Sequence, residues 1–259
     1  MIHQIVSYVN YWLNEVNAHS LQAPFIYNLY TKYIQSDDNR QDFEAIEKTR
    51  KKLQNSPLLV TPANWGATST VHPNATKANV SVIAKKGLTK PKISRLLARL
   101  MSYNDSKQVV ELGTSFGLNT LYMAQKSDSH ITTFEGSKEI ADIALTNFEF
   151  FERENIELIT GNIDEELPRF TNSRIRIDFA YIDANHRYEP TIKYFNQLLK
   201  RMHDDSIIVL DDIYWSKEMT QAWNTIKEHP QVTHSIDLFE VGIVFFKPDL
   251  SKTHYTLMF

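Results

Sequence analysis

The chain has no cysteine among its 259 residues. This absence excludes disulfide bonds, zinc sites built from thiolates and cysteine nucleophiles together. No stretch approaches the ~18 consecutive apolar residues of a membrane-spanning helix, and no basic segment followed by an apolar run opens the chain. We therefore expect a cytoplasmic protein with no membrane partner.

Excess charge of one sign is also missing, since the formal net charge is −3 and the sequence pI is near 6.3. Nothing in this balance favours binding to nucleic acid or to an anionic membrane surface. The expected partner is a small molecule, and no nucleic acid. The local basic residues Arg50–Lys52 and Lys85–Lys86, followed by Lys90 and Lys92, are predicted to be solvated helix faces, with a binding patch as the alternative.

Glycine is scarce, with seven in the chain where average usage would give about 18. Two of them, Gly113 and Gly117, stand where a strand-like run ends and a helical stretch begins. This placement predicts a tight backbone turn that comes close to a ligand. An ordinary glycine-containing turn between a strand and a helix is the alternative.

The spacing of the turn decides which ligand suits it. A dinucleotide fingerprint needs glycine at its first, third and sixth positions, which here hold Gly113, Ser115 and Leu118, so the fingerprint fails. Glu111 at the strand end would repel a pyrophosphate. It would suit a ligand that carries an ammonium and a sulfonium charge, as S-adenosylmethionine does.

The first 103 residues are predicted to be a helical region, with an irregular connector at 56–76. Two apolar stripes near the N-terminus each need a partner surface. The first stripe is Ile5, Val9, Trp12, Leu13 and Val16, and the second is Phe25, Ile26, Leu29, Tyr30, Tyr33 and Ile34. Further helices are predicted from Ala78 to Lys86 and from Pro91 onwards.

From Gln108 the pattern changes to short apolar runs that alternate with amphipathic segments, which indicates βαβ units. Seven strands are predicted, at 108–112, 131–135, 157–160, 178–183, 206–211, 232–239 and 241–246. The last two are joined too tightly for a crossover helix and must form an antiparallel hairpin. The expected fold class is α/β, with a Rossmann-like, mostly parallel sheet in residues 104–259, a reversed last strand and helices on both faces.

The pattern Glu111-x-Gly113-x-x-x-Gly117 resembles the first motif of the class I S-adenosylmethionine-dependent methyltransferases. The reversed last strand is also typical of that family, and the resemblance covers roughly residues 108–247. It implies S-adenosylmethionine as the cofactor. The predicted cofactor-binding residues are Glu111, Gly113, Thr114, Ser115, Gly117, Asn119, Glu135, Asn162, Ile163 and Asp183.

Glu135 closes the second strand, 22 residues after Gly113, where doubly wound folds place an acid that accepts hydrogen bonds from ribose hydroxyls. An exposed acid in a Glu-Gly-Ser turn is the alternative. By resemblance, Asn162 and Ile163 lie beside the adenine. Asn162 equally suits a plain turn.

Carboxylates follow two neighbouring strands, at Asp183 and at Asp211 and Asp212. Their placement is similar to that of the metal ligands in the catechol O-methyltransferase-like branch, which supplies two aspartates and an asparagine. Asp212 stands in the position of the asparagine. The resemblance therefore implies a site for Mg²⁺ or another divalent cation, with one extra negative charge.

The base of that branch is a lysine three residues after the first aspartate, and this position holds His186 here. We predict His186 as the general base, with Asp183 beside it as the second catalytic residue. Hydrogen bonding to the substrate and a structural role are alternatives for His186. The aromatic residues Tyr188, Tyr214 and Trp215 either line a substrate pocket or pack over the sheet.

The resemblance predicts an O-methyltransferase acting on a small-molecule hydroxyl. The N-terminal helices would then select the substrate, and their stripes would cover the sheet or form a homodimer. The connector segment Asn64–Ser69 is either a cap over the active site or a linker. A non-catalytic S-adenosylmethionine-binding protein, a nicotinamide-dependent oxidoreductase and a transferase of another group from a sulfonium donor remain alternatives.

Overall fold

Helices precede the main sheet in the computed structural model, which describes residues 2–21, 23–36, 43–63, 77–125, 128–248 and 251–259. They are α1 (Ile2–Asn14), α2 (Pro24–Leu29, continued by a π-helical turn at Tyr30–Ile34), α3 (Glu44–Gln54), α4 (Val80–Lys86) and α5 (Pro91–Tyr103). A two-stranded antiparallel ribbon joins β1 (Leu59–Val60) to β2 (Ala78–Asn79). The segment predicted as a cap or linker, 64–69, lies outside the described residues.

In the described part of the chain the main sheet has eight strands, in the order β10-β8-β9-β7-β6-β3-β4-β5. The strands are β3 (Gln108–Leu112), β4 (His130–Glu135), β5 (Ile156–Thr160), β6 (Phe179–Ile182), β7 (Ile207–Asp211), β8 (His234–Asp237), β9 (Val241–Phe245) and β10 (Thr253–Thr256). Strand β9 runs antiparallel to β7 and β8, as the hairpin predicted. The fold class is therefore confirmed.

The strand count needs one correction, because β10 adds an eighth strand parallel to β8 at the edge of the sheet. This strand is short, and of its four residues only Tyr255 is buried. A half-exposed edge strand lacks the continuous apolar run that made the buried strands recognisable.

Helices cover both faces of the sheet, and successive strand residues point to opposite faces. Val109 and Tyr181 face a core that α2 and α5 share, whereas Val110 and Ile182 face the opposite core. The remaining helices are α6 (Leu118–Met123), α7 (Lys138–Phe150), α8 (Ile163–Thr171), α9 (Tyr188–Leu199) and α10 (Lys217–Lys227). No helix among the described residues is long and apolar enough to cross a bilayer.

The two N-terminal stripes differ in their surroundings. The stripe of α2 is largely buried against the sheet, with Ile26 and Leu29 fully enclosed. The stripe of α1 instead lies on the surface, where Trp12 is 61% and Leu13 66% exposed. Helix α1 turns Tyr11 inward, and its hydroxyl donates to the carbonyl oxygen of Leu257 at 2.5 Å. Val16 packs against the core, but the described part of this chain leaves Ile5, Val9, Trp12 and Leu13 exposed.

Candidate functional site

The glycine turn lies between β3 and α6, at the carboxyl end of the central strands. Gly113 has φ +104°, and a Cβ there would lie 2.1 Å from the carbonyl oxygen of Asp183. Gly117 has φ +79°, and a Cβ there would lie 2.4 Å from the Phe148 ring. Close protein neighbours thus require glycine at both positions. The prediction from the sequence was that the turn comes close to a ligand.

Glu111 is fully buried at the end of β3. One of its oxygens accepts hydrogen bonds from the hydroxyls of Thr120 at 2.5 Å and Thr133 at 2.6 Å. The other oxygen, Oε1, is buried and has no hydrogen-bond partner among the described residues. Burial raises the pKa of this carboxyl to about 8, although the threonine hydroxyls favour its ionised form. A buried acid with a free oxygen suits a cationic ligand group.

Glu135 is tied to the glycine turn, and its role on the ribose stays a prediction. It ends β4, and its two oxygens accept backbone N–H groups of Ser115 and Ser137, each at 2.9 Å. Burial raises its pKa despite these bonds. Thr114 completes the turn, since its backbone N–H donates to the carbonyl oxygen of Phe134 at 3.0 Å.

Asn162 and Ile163 lie at the end of β5, next to β4. The side chain of Asn162 caps α8 by accepting the backbone N–H of Asp164 at 3.0 Å, and Ile163 is the first residue of that helix. The backbone N–H of Gly161 donates to the carbonyl oxygen of Glu135 at 2.9 Å, so these residues border the Glu135 end of the cleft. Their role beside an adenine stays a prediction.

A chain of hydrogen bonds connects α5 and α6 to Asp183. The hydroxyl of Ser94 donates to Asn119 at 2.5 Å, the Asn119 amide donates to the Thr89 hydroxyl at 2.8 Å, and that hydroxyl donates to Asp183 Oδ2 at 3.2 Å. The direction of every bond is fixed, because a carboxylate only accepts. Sequence reasoning missed Thr89 and Ser94, since single hydroxyl residues around Pro91 carry no motif.

His186 lies beside Asp183 at the end of β6, with 3.3 Å between His186 Nε2 and Asp183 Oδ1. Burial disfavours the charged imidazole, but the hydrogen bond and charge of Asp183, with the charge of Asp212, outweigh it and raise the pKa of His186. Asn185, His186 and Asp212 all have left-handed backbone, with φ of +67°, +48° and +54°. Such conformations in non-glycine residues are costly and concentrate at functional sites.

The carboxylates predicted as metal ligands do not form a metal cage in this arrangement. Burial, together with the charges of Asp183 and Asp212, raises the pKa of Asp211 well above its usual range. Burial likewise raises the pKa of Asp212, and His186 partly offsets this. No group of three or more His, Asp or Glu side chains in the described ranges is arranged to hold a metal ion. The described residues therefore show no metal site, and binding of a divalent ion at Asp183, Asp211 and Asp212 stays a prediction.

A pocket of about 280 Å³ opens beside Asp212. Its other lining residues are Gln4, Lys90, Tyr214, Trp215, Phe239 and Glu240. The ring of Trp215 also packs on His186, with 5.8 Å between the ring centroids. Tyr188 lies elsewhere, because its hydroxyl is 3.4 Å from Thr225 on α10. Of the three aromatic residues singled out in the sequence, Tyr214 and Trp215 line the pocket.

Known proteins agree with this architecture. Residues 110–213 match a family model described as a methyltransferase domain. No curated protein matches the chain. An O-methyltransferase from Bacillus cereus in complex with SAH superposes with a TM-score of 0.55 at 18% identity, over 88% of this chain and 100% of that one.

Two other solved structures are similar. The SAH-bound methyltransferase PaMTH1 from Podospora anserina gives a TM-score of 0.55 at 14% identity, over 82% of this chain and 99% of that one. The O-methyltransferase TomG from Streptomyces achromogenes, involved in tomaymycin synthesis and in complex with SAM, gives a TM-score of 0.54 at 16% identity. The match covers 62% of this chain and 82% of that one.

The fold is that of the S-adenosylmethionine-dependent O-methyltransferases to which the chain is similar. Within it, residues 110–213 match the methyltransferase domain model.

Proposed function

We propose that this protein transfers the methyl group of S-adenosylmethionine to a hydroxyl of a small molecule. The observation that carries the proposal is the position of Asp183. Its backbone packs against Gly113 of the glycine turn, and its carboxylate contacts His186, whose ring packs on Trp215 of the pocket. Asp183 therefore joins the predicted cofactor site to the predicted acceptor site.

The residues of the glycine turn suit the cofactor. The unpartnered oxygen of Glu111 would face its positive charge, and the carboxylate of Glu135, bonded to Ser115, would accept its ribose hydroxyls. When bound, S-adenosylmethionine supplies a methyl group on a sulfonium sulfur. The protein's task is to hold the acceptor oxygen in line with that group.

His186 accepts the acceptor's proton. The bound cofactor would supply the methyl group, and the imidazole of His186 would take the proton that the acceptor hydroxyl loses. Asp183 orients the ring, and the resulting imidazolium stands beside the carboxylates of Asp183 and Asp212. The neutral imidazole takes up the proton, and the carboxylates beside it stabilise the imidazolium that forms.

The first experiment is a calorimetric titration with S-adenosylhomocysteine and with NAD, each with and without Mg²⁺. We expect S-adenosylhomocysteine to bind and NAD not to bind. A screen of hydroxyl acceptors with methyl-labelled S-adenosylmethionine then tests transfer. Binding of NAD alone would contradict the proposal, and binding of S-adenosylhomocysteine without transfer to any acceptor would favour a non-catalytic binding protein.

A further inference from the structure

Arg50 is buried although it begins a basic run that the sequence predicted to be solvated. The side chain is on α3, in the N-terminal region for which the sequence offered no motif, and it is only 6% exposed. The next two residues, Lys51 and Lys52, are exposed as predicted. A buried guanidinium needs hydrogen-bond acceptors for all its N–H groups, so its partners indicate its role.

Two of its three nitrogens have partners. Nε donates to both carboxylate oxygens of Glu47, at 3.0 and 3.1 Å, and Nη1 donates to the carbonyl oxygen of Thr89 at 2.9 Å. The third nitrogen, Nη2, is buried without a hydrogen-bond partner among the described residues. An arginine left with an unpaired N–H₂ group in the interior is costly unless a ligand supplies the acceptor.

That arginine lines a small cavity over the glycine turn. The other lining residues are Gly87, Leu88, Thr89, Gly113, Thr114, Ser115, Leu118, Asn119 and Asp183. Its volume is about 10 Å³, room for about one water molecule. A carboxylate is larger than this space, so its binding requires the cavity walls to move apart.

The walls of this cavity carry opposite charges. Asp183 supplies a carboxylate. On the other side, Glu47 also accepts the hydroxyl of Tyr122 at 2.6 Å, and the guanidinium groups of Arg50 and Arg95 both act on that tyrosine. Two guanidinium groups and one carboxylate, that of Glu47, thus act on Tyr122. The net charge on the wall that contains Arg50 is therefore positive. A zwitterionic α-amino acid group matches this pair of walls.

We propose that Arg50 binds the α-carboxylate of the methionine end of S-adenosylmethionine through Nη2. This inference rests on the proposed function, because it names the residue that would recognise one part of that cofactor. The planar guanidinium, already fixed by Glu47 and Thr89, presents its free N–H groups at a defined angle, which suits a carboxylate better than a lysine would. The N-terminal region thereby becomes part of the cofactor site.

The test compares two ligands that differ only in this carboxylate, S-adenosylmethionine and its decarboxylated form, by calorimetry on the full chain. The wild type is expected to bind the first roughly 10- to 100-fold more tightly. Arg50→Gln should weaken S-adenosylmethionine by a similar factor and change binding of the decarboxylated form by less than about threefold. Arg50→Lys should recover part of the loss.

Arg95→Gln is the matched control, since the charge of Arg95 also acts on Tyr122 but Arg95 does not line the cavity. It should leave both affinities unchanged. Equal loss of the two ligands in Arg50→Gln would overturn the proposal and indicate a purely structural arginine. A wild type that binds both ligands equally would overturn it as well, even if Arg50→Gln failed to fold. A wild type that binds neither ligand nor S-adenosylhomocysteine would contradict the proposed function itself.

Discussion

The two ends of the cleft hold carboxylates in different ways. At the glycine turn, Glu111 is buried with only threonine hydroxyls on one oxygen and no partner on the other. At the acceptor end, the carboxylates of Asp183 and Asp212 share the imidazole of His186. At the first end a carboxylate oxygen has no partner among the described residues and suits a cation, whereas at the second end the imidazole of His186 already contacts a carboxylate. Changes at the first should therefore alter cofactor affinity, and changes at the second should alter the rate of transfer.

The largest effect is expected at the acceptor end. In His186→Gln the side chain can still hydrogen-bond Asp183 but cannot accept a proton. We expect kcat to fall by roughly 100- to 10,000-fold, with affinity for S-adenosylhomocysteine unchanged. Steady-state kinetics with the acceptor found by screening, combined with calorimetry, measures both quantities.

A second histidine–aspartate pair provides the control. His203 Nε2 lies 2.8 Å from Asp178 Oδ1, at the opposite edge of the sheet. His203→Gln removes a similar buried pair away from the cleft, so it should lower stability without lowering kcat. If His186→Gln retained full kcat, the role of proton acceptor would be wrong.

The next effect concerns Glu111 and is a change of stability with pH. The unfolded carboxyl ionises near its ordinary pKa of 4.5, whereas the folded one keeps its proton up to about pH 8. Unfolding between these values releases a proton, so the free energy of unfolding falls as pH rises through this window. Glutamine does not ionise, so Glu111→Gln removes this fall in the free energy of unfolding. The variant should be more stable than the wild type at pH 8 by roughly 2–4 kcal/mol.

Denaturant unfolding at pH 5 and pH 8 checks this prediction. The advantage of Glu111→Gln should shrink at pH 5, and the exposed control Glu157→Gln on β5 should show no such pH dependence. The same glutamine cannot carry the negative charge that a cationic cofactor favours, so affinity for S-adenosylmethionine should fall roughly 10- to 100-fold. A variant that gained no stability at pH 8 would show that Glu111 is already ionised in the free protein.

Much of the sheet could be predicted because its strands are buried on both faces. Runs such as 207–210 are continuously apolar, and the polar residues that follow them must lie at the carboxyl edge of a parallel sheet. On this basis Glu111, Glu135 and Asp183 were predicted to lie at the carboxyl edge of the sheet, and the structure places them there. It depends only on periodicity and on the geometry of parallel strands.

The N-terminal contribution could not be predicted in the same way. Arg50 and Thr89 reach the glycine turn through tertiary packing, and no local pattern distinguishes buried Arg50 from exposed Lys51. The stripe of α1 is the opposite case. Its apolar residues recur at helical spacing and are recognisable in the sequence, but the surface that covers them is not. Sequence periodicity predicts that a face is apolar without naming its partner.

A smaller effect is expected at Glu135, on the cofactor side of the cleft. Glu135→Gln should weaken S-adenosylhomocysteine about tenfold, because the amide loses the charge that strengthens hydrogen bonds from ribose hydroxyls. Asp142→Asn on the exposed side of α7 is the control. Calorimetry should show the loss for S-adenosylhomocysteine, and an unchanged affinity would mean that Glu135 serves only to hold the Ser115 turn.

The smallest effect on activity is expected from the exposed stripe of α1. The helix borders the acceptor end through other residues: Gln4 bonds to the carbonyl oxygen of Trp215, and Tyr8 and Tyr11 pack on Phe239. The helix contains no Lys, Arg, Asp or Glu, so two copies of its exposed stripe can meet without like-charge repulsion. We expect a homodimer through this face, and Leu13→Glu should convert it to a monomer in light scattering after gel filtration. Because Leu13 is 66% exposed and far along the helix from Gln4, kcat/KM should change by less than about twofold.

A wild type that is monomeric at high concentration would leave the α1 stripe without this partner. A large loss of activity in Leu13→Glu would mean that the dimer shapes the acceptor end of the cleft.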